Sequence, residues 1–270
     1  AAAAAINTNR VIDVRAIGNT GIGIYAGNYS EVRNCLSSGN GSHGIAVYAY
    51  GRVEGCTSRS NGGDGISAPN SGNVIVNSVA SQNTGNGISA FSSTVTGCLA
   101  SNNTLSGIDA EYSLVRDCNS SGNDQYGIKL EIGSTATGNR AFGNTFSGFY
   151  AAASCSLENN TATSNGNGVA GRTGFTFNGA GNRAVNNHAT GNPIGFYSPN
   201  GPNVLTGNTA MNNTATGFSV NTNTNTLLTG NISVGHPINY TINAGNDSGA
   251  IITNPGVGFT TTNPAANFAN

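Results

Sequence analysis

The feature that most constrains this chain is a Gly-Ile or Gly-Phe pair that returns at a nearly constant interval. The glycine of the pair stands at positions 23, 44, 65, 87, 107, 127, 148, 174, 195 and 217. Successive pairs are 20 to 22 residues apart, except for one interval of 26 residues. A fixed period of this length is typical of a solenoid, in which each repeat packs only on its neighbours.

The pattern inside one repeat predicts which solenoid forms. Short runs alternate between apolar and polar or small residues, which indicates strands, and about three runs fit into one repeat. One position of the repeat is always Asp, Asn or Gly, residues that readily adopt the left-handed conformation of a sharp corner. Three strands and three corners in about 21 residues predict an all-β fold, a single-stranded parallel β-helix of about ten to eleven coils. The corner residues are Asp13, Asn34, Gly55, Asn77, Gly97, Asp117, Gly138, Asn159, Asn186, Gly207 and Gly230.

A column of asparagines runs through the repeats and ends at His236. Stacked inward amides can each donate to the next amide and accept from the previous one, so this column predicts a structural ladder. Its members are Asn19, Asn40, Asn61, Asn83, Asn103, Asn123, Asn144, Asn165, Asn192 and Asn213.

The repeat sets the domain boundaries. Residues 1–10 are predicted to lead into a β-helix over residues 11–236, and residues 237–270 to form a last partial coil and a C-terminal capping tail. The 26-residue interval places an extra loop at about residues 166–172. Ala1 to Ala5 are left out of the fold prediction, and no signal peptide is visible.

Composition excludes some functions. Charged residues make up 8% of the chain and the formal net charge is −1, so the basic stripe that nucleic acid requires is missing. No apolar run reaches the roughly 18 residues of a membrane-spanning helix, so no membrane insertion is expected.

Five cysteines occur, four of them in one inward column. Cys35 with Cys56, and Cys98 with Cys118, lie on adjacent coils at a separation that suits a disulfide. Parallel stacking, however, holds their Cβ atoms too far apart for easy bridging. Buried free thiols that fill the core are therefore the favoured interpretation.

The repeat resembles that of pectate-lyase-like right-handed parallel β-helix proteins, through the Gly-Ile…Asn…Asn pattern over residues 11–236. The ending Thr261-Thr262-Asn263-Pro264-Ala265-Ala266-Asn267-Phe268 resembles the closing segment of secreted bacterial members with no assigned function. The resemblance implies the fold, whereas members include polysaccharide lyases, hydrolases, epimerases, phage tailspikes and passive surface proteins.

One cluster of charges lies where such enzymes carry their active sites, on the outer face of the Gly-Ile strand. Asp109 and Lys129 share one outward position on adjacent coils, and Glu111 and Glu131 share the position two residues on. Two carboxylates about one strand spacing apart suit calcium binding or paired-carboxylate glycoside chemistry. The alternative is a solvated patch in which opposite charges offset the Glu111/Glu131 repulsion.

Aromatic residues are predicted on the same outer face. Their ring faces could stack on sugars, and the alternative is a set of scattered surface aromatics or a packing face for a neighbouring molecule. The carbohydrate-binding candidates are Tyr48, Phe91, Tyr150 and Tyr197.

Low charge and an unbroken repeat favour a non-catalytic structural or adhesion module at the cell surface or outside the cell. Its expected partner is a second copy of itself, bound end to end in filaments or side by side. The alternative is a carbohydrate-active protein, a polysaccharide lyase, hydrolase, epimerase or glycan binder, with an extracellular polysaccharide as its partner. No cofactor is expected, with calcium left open at Glu111 and Glu131.

Overall fold

A computed structural model of the chain describes residues 8–169, 171–221, 225–253 and 265–269. Throughout these ranges the regular elements are β-strands. Within the described ranges, no helix has the length and apolar character needed to cross a membrane. The chain divides into two units, residues 1–129 and 130–270, each built from three sheets of parallel strands. The predicted all-β parallel solenoid is confirmed, while residues 1–7 of the lead-in and 254–264 of the tail lie outside the described residues.

In the first unit, one coil contributes one strand to each sheet. The strands pair in parallel in the orders β1-β4-β7-β10-β13-β16 (first sheet), β2-β5-β8-β11-β14-β17 (second sheet) and β3-β6-β9-β12-β15 (third sheet). β18 (Ile128–Leu130) spans the boundary between the units in sequence. The others are β1 (Arg10–Ile12), β2 (Arg15–Ile17), β3 (Ile24–Ala26), β4 (Glu31–Arg33), β5 (Leu36–Ser38), β6 (Ile45–Val47), β7 (Arg52–Glu54), β8 (Thr57–Arg59), β9 (Ile66–Ala68), β10 (Val74–Val76), β11 (Val79–Ser81), β12 (Ile88–Phe91), β13 (Thr94–Thr96), β14 (Leu99–Ser101), β15 (Ile108–Glu111), β16 (Leu114–Arg116) and β17 (Asn119–Ser121).

The second unit repeats this plan, and strands beyond His236 extend its sheets. The orders are β19-β22-β25-β28-β31-β34 (first sheet), β20-β23-β26-β29-β32-β36-β35 (second sheet) and β21-β24-β27-β30-β33 (third sheet). The strands are β19 (Thr135–Thr137), β20 (Arg140–Phe142), β21 (Phe149–Ala151), β22 (Ser156–Glu158), β23 (Thr161–Thr163), β24 (Thr173–Phe177), β25 (Arg183–Val185), β26 (His188–Thr190), β27 (Ile194–Ser198), β28 (Val204–Thr206), β29 (Thr209–Met211), β30 (Thr216–Val220), β31 (Leu227–Thr229), β32 (Ile232–Val234), β33 (Ile238–Ile242), β34 (Asp247–Ser248), β35 (Ile251–Thr253) and β36 (Asn267–Ala269).

The corner between the first and second sheets forms where the sequence predicts it. All eleven Asp, Asn and Gly residues at this position have positive φ, from 49° at Asn77 to 68° at Gly138. Short polar side chains and glycine reach this region at the lowest steric cost, so the repeat places them there.

The predicted asparagine ladder is confirmed. In the first unit, Oδ1 of Asn61 accepts the backbone N–H of Asn40 at 3.0 Å and its Nδ2 at 2.9 Å. In the second unit the same pairing joins Asn144 to Asn165 at 3.0 and 2.9 Å. Each amide thus satisfies a buried backbone donor of the preceding coil.

Apolar side chains fill the interior, and the filling changes along the chain. Ile45, Ile66, Ile88 and Ile108 are fully buried in the first unit. In the second unit, Phe149, Phe175, Phe196 and Phe218 form a stack whose successive ring centroids lie 4.8 Å apart. Flat rings suit this column because successive coils of a parallel solenoid are separated by one strand spacing.

The five cysteines are free and buried, in agreement with the interpretation favoured from the sequence. The sulfurs of Cys56 and Cys118 also accept hydrogen bonds: the backbone N–H of Cys35 lies 3.4 Å from Sγ of Cys56, and that of Cys98 lies 3.4 Å from Sγ of Cys118. In the second unit asparagine takes over this column, and Oδ1 of Asn160 accepts the backbone N–H of Asn139 at 2.9 Å. The thiols therefore occupy an acceptor position that an amide fills elsewhere.

A charge network covers the first sheet of the first unit. Glu31 and Arg52 are register partners, as are Arg33 and Glu54. Arg33 forms ion pairs with Glu54 at 3.0 Å and with Glu31 at 2.7 Å, and Arg52 pairs with Glu54 at 3.1 Å. The hydrogen bond from Arg52 is the main reason why the pKa of Glu54 lies below its usual range. These ion pairs between half-buried side chains are a structural feature of the surface.

Candidate functional site

The candidate site begins with an ion pair on the outer side of the third sheet. Asp109 lies in β15 between the buried residues Ile108 and Ala110, so its carboxylate faces outward. Nζ of Lys129, in β18, lies 3.3 Å from Oδ2 of Asp109. The side chains keep only 26% and 24% of their accessible surface, so this pair is partly shielded from water. The structure thus brings together two of the four predicted charged residues.

Glu111 lies on the same strand as Asp109 and next to the aromatic pair formed by Phe91 and Tyr112. Glu111 ends β15 and is the register partner of Phe91, which ends β12. The Phe91 ring meets the Tyr112 ring edge to face, with centroids 5.9 Å apart and planes at 85°. Glu111 and Phe91 therefore lie on adjacent coils, and the Tyr112 ring contacts the Phe91 ring.

Glu131 belongs to the second unit. Its backbone carbonyl accepts a hydrogen bond from Sγ of Cys155 at 2.9 Å. The pairing of Glu111 with Glu131, and the calcium site predicted from it, stay predictions. Within the described ranges, no three His, Cys, Asp or Glu side chains gather in an arrangement able to hold a metal ion.

Three exposed tyrosines, Tyr29, Tyr50 and Tyr112, occupy one corner that the sequence analysis did not single out. They lie between the third and first sheets of the first unit and have φ values of 54°, 58° and 48°. Tyr29 and Tyr50 stack in parallel, with centroids 5.2 Å apart and planes within 7°. A signal was present in the sequence, since these residues stand at equivalent places of three repeats.

The predicted aromatic candidates of the first unit lie beside this corner. Tyr48 follows β6 directly and is 44% exposed. Phe91 is half-buried at the end of β12, and the exposed Pro69 has the same repeat position on the coil between them. Tyr48, Pro69 and Phe91 thus provide an apolar strip along the edge of the third sheet.

The other two predicted aromatics belong to the second unit. Tyr150 in β21 pairs in register with Thr176, and Thr176 pairs with Tyr197 in β27, so the two tyrosines are separated by one coil. Both are half-buried. Thr173 Oγ1 lies 2.6 Å from Oγ1 of Thr176 and 3.0 Å from Oγ of Ser147, forming a hydroxyl cluster on this sheet.

Two of the three histidines accept hydrogen bonds from the backbone. Nδ1 of His43 accepts the backbone N–H of Asp64 at 3.0 Å, and Nδ1 of His236 accepts that of Asn213 at 2.9 Å. His236 therefore takes the next place of the asparagine ladder. Burial lowers the pKa of His236 and that of His188 below the usual value for histidine.

These observations define the class of protein: a parallel β-helix with an outward aromatic and charged surface beside its third sheet. The chain belongs to the family described as the right handed beta helix region, whose model matches residues 20–165, more than half of the chain. None of the curated protein sequences matches this chain.

Solved structures that are similar to this chain in fold include two epimerases and one tailspike protein. The A-module of a mannuronan C-5 epimerase from Azotobacter vinelandii has 14% identity, a TM-score of 0.58 and coverage of 91% of this chain and 77% of its own. The Dettilon tailspike protein has 12% identity, a TM-score of 0.56 and coverage of 97% and 60%. The periplasmic alginate epimerase AlgG has 16% identity, a TM-score of 0.51 and coverage of 72% and 47%, so this chain spans about half its length.

Proposed function

We propose that this chain is a carbohydrate-binding protein that holds a polysaccharide on the outer side of its third sheet, in the first unit. The observation that carries the proposal is the contact of Phe91 with Tyr112 beside Glu111 and the Asp109–Lys129 pair. An aromatic face offers apolar contact to the C–H groups of a sugar ring, and a carboxylate accepts hydrogen bonds from sugar hydroxyls.

The surrounding surface supports a sugar over other partners. Charged residues are 8% of the chain, which leaves no basic stripe for nucleic acid. Five exposed tyrosines lie in or just after the third-sheet strands of the first unit, and tyrosine joins an apolar ring to a polar tip. They are Tyr25, Tyr29, Tyr48, Tyr50 and Tyr112. The fold is similar to that of proteins named as alginate and mannuronan epimerases, so polyuronates are the first ligands to test.

The test is binding of the purified chain to alginate and polygalacturonate, with dextran as a neutral polysaccharide, measured by calorimetry. Phe91→Ala should weaken binding about tenfold, which equals about 1.4 kcal/mol. Phe142→Ala is the matched control, because Phe142 is an exposed phenylalanine of the second sheet, 45% accessible. A chain that binds none of the three polymers, or a Phe91→Ala variant that binds as the wild type does, would contradict the proposal.

A second candidate function is catalysis at the same surface. The observation in its favour is the partly shielded ammonium of Lys129, which lies 3.3 Å from the carboxylate of Asp109. Asp109 belongs to β15, the strand that ends at Glu111. An ammonium can stabilise negative charge that develops on a uronate, while a carboxylate can act as general acid or base. Glu111→Gln and Asp109→Asn should abolish turnover of alginate or polygalacturonate, followed as unsaturated product, reducing ends or altered sugar configuration. Wild-type protein without turnover leaves binding as the function.

Calcium is proposed as an accessory to binding. Carboxylates are preferred ligands of calcium, and the sequence predicts Glu111 and Glu131 as its ligands. Binding to the polymers should strengthen with added calcium and weaken with chelator, and Glu131→Gln should remove that dependence. Equal affinity with calcium and with chelator would remove the ion from the proposal.

We also propose that the protein acts outside the cytoplasm, where an extracellular polysaccharide is available. The structural or adhesion role expected from the sequence stays a prediction, with self-association as its signature. Electron microscopy at several protein concentrations, without polysaccharide, separates the two roles. Filaments that form equally in the wild type and in Phe91→Ala would favour assembly, whereas single particles that bind polymer favour carbohydrate binding.

A further inference from the structure

One corner of the first unit combines unfavourable backbone geometry with exposed aromatic rings. Tyr29, Tyr50, Gly72, Ser92 and Tyr112 follow the strands of the third sheet in successive coils, and all have positive φ. At the corner between the first and second sheets, all eleven residues with this conformation are Asp, Asn or Gly. Bulky side chains are rare at positive φ and cost free energy there, so three tyrosines in one column need a reason beyond folding.

The rings are held in place without being covered. The Tyr50 ring lies between the Tyr29 ring, 5.2 Å away, and the backbone of Gly72, where a Cβ atom would overlap the ring. Tyr29, Tyr50 and Tyr112 nevertheless remain 61%, 57% and 51% exposed. An ordered, exposed ring costs a ligand little entropy on binding, which is the property of a preformed binding surface.

The corner is continuous with the site proposed above. Tyr112 is its fifth member, and the Tyr112 ring contacts Phe91. Tyr50 lies three coils from Tyr112, which at one strand spacing per coil is roughly 14 Å. Tyr48 and Pro69, both exposed, border the corner on the side of the third sheet.

We propose that a polysaccharide bound at Phe91 and Tyr112 continues along this corner to a second subsite at Tyr29 and Tyr50, with the glycan chain running from coil to coil. This inference rests on the proposed function. Because all five corner residues are uncharged, the second subsite recognises the C–H faces and hydroxyls of pyranose rings and not their carboxylates. It therefore takes any sugar unit of the chain, acidic or neutral, provided that the chain is long enough to reach it.

Length dependence tests the proposal. Calorimetry compares wild type with a Tyr29→Ser/Tyr50→Ser double variant, using alginate and a short alginate oligomer of two sugar units. Serine is chosen because Ser92 already occupies the equivalent position, so the corner keeps its backbone. The double variant should bind the polymer about tenfold more weakly and the two-unit oligomer with unchanged affinity. If alginate is not bound, polygalacturonate and its two-unit oligomer are used in the same way.

Two further variants sharpen the result. Tyr29→Phe/Tyr50→Phe keeps the rings and should retain polymer affinity within about twofold, since ring surface carries the contact. Gly72→Ala should displace the Tyr50 ring and weaken polymer binding in the direction of the serine variant.

The outcomes separate this inference from the proposed function. Wild-type protein that binds none of the polymers overturns both. Wild-type protein that binds polymer, with the serine variant equally strong, overturns the second subsite alone. Equal losses for polymer and two-unit oligomer would also overturn it, because the corner would then not be a separate part of the surface.

Discussion

Oδ1 of Asn267 accepts two hydrogen bonds from Asn231, from its backbone N–H at 2.9 Å and from its Nδ2 at 3.0 Å. The two residues are 36 positions apart, yet they form one step of a ladder. Asn267 begins β36, which lies between β32 and β35 in the second sheet. Asn267 thus supplies the hydrogen-bond acceptor for Asn231, and residues 232–253 do not.

Replacing Asn267 with alanine should destabilise the second unit. The buried N–H of Asn231 would lose its acceptor, and an unsatisfied buried donor costs about 1–3 kcal/mol. Chemical denaturation monitored by circular dichroism measures the change. Asn200→Ala is the control, because the Asn200 side chain is exposed and should contribute less than about 0.5 kcal/mol. Equal stability of both variants would mean that β36 does not hold the end of the sheet.

The separate asparagine ladder that contains Asn144 and Asn165 gives a second prediction. Oδ1 of Asn165 accepts the backbone N–H and Nδ2 of Asn144, while its own Nδ2 donates to the carbonyl of Ala141 at 3.1 Å and to Oδ1 of Asn192 at 3.1 Å. Asn165→Ala should therefore lower the free energy of unfolding by about 1–3 kcal/mol. Asn165→Asp keeps an acceptor, removes the Nδ2 donors and adds a buried carboxyl group, so it should destabilise the protein at least as much as alanine near neutral pH. An alanine variant with an unchanged melting temperature would contradict the ladder's role.

How far the sequence predicts this molecule depends on whether a position keeps its residue type from coil to coil. The ladder was found because stacking of like amides requires asparagine in each coil, so geometry and residue identity repeat together. The tyrosine corner escapes a search for one repeated residue type, because Gly72 and Ser92 separate Tyr50 from Tyr112 although all four have a positive φ. The sequence assigns Asn267 only to the C-terminal tail. Its strand, β36, enters the second sheet between β32 and β35, out of sequence order, so the repeat does not predict its place.

The residues of the candidate site also differ in how far the sequence predicts their contacts. Asp109 and Lys129 were paired from their repeat position alone, because side chains at one position of adjacent coils must lie close together. The contact between Phe91 and Tyr112 could not be predicted, since Tyr112 lies at a corner whose side-chain direction depends on its backbone conformation. Positions that keep one residue type are thus readable from periodicity, whereas the contacts of a corner side chain require the structure.

Cys56 gives a third prediction, about chemical reactivity. Burial raises the pKa of its thiol to about 11, so little reactive thiolate exists near pH 8. Iodoacetamide should modify the native protein very slowly at this pH and all five cysteines after denaturation. Rapid labelling of Cys56 in the native protein would contradict its buried position.

The acceptor role of Cys56 can be tested by substitution. Its sulfur accepts the backbone N–H of Cys35 and lies 3.5 Å from the carbonyl of Val32. Cys56→Asn would present an amide to both groups, as Asn160 does with the backbone N–H of Asn139 and the carbonyl of Ala136. We expect the asparagine variant to be at least as stable as the wild type and Cys56→Ala to be less stable by about 1–3 kcal/mol. Matching losses for both variants would mean that packing volume, and not the acceptor, decides stability here.

The last prediction concerns pH and His236. Its Nδ1 accepts the backbone N–H of Asn213, and burial lowers its pKa in the folded protein. The unfolded chain takes up a proton near pH 6.5, while folded His236 stays neutral to lower pH. Stability contributed by neutral His236 is therefore present above about pH 6.5 and is lost as the pH falls below that value.

The variant His236→Asn should remove this dependence and keep the hydrogen bond, because asparagine fills the same ladder position in the preceding coils. The slope of unfolding free energy against pH, measured between about pH 6.5 and 5, should become shallower by at most about 1.4 kcal/mol per pH unit. His188→Gln is the comparison, since the pKa of His188 is also lowered by burial and its share of the slope should persist in the His236→Asn variant. An unchanged slope in His236→Asn would show that protonation of His236 does not oppose folding, and the proton uptake would then belong to His188 or to the carboxylates.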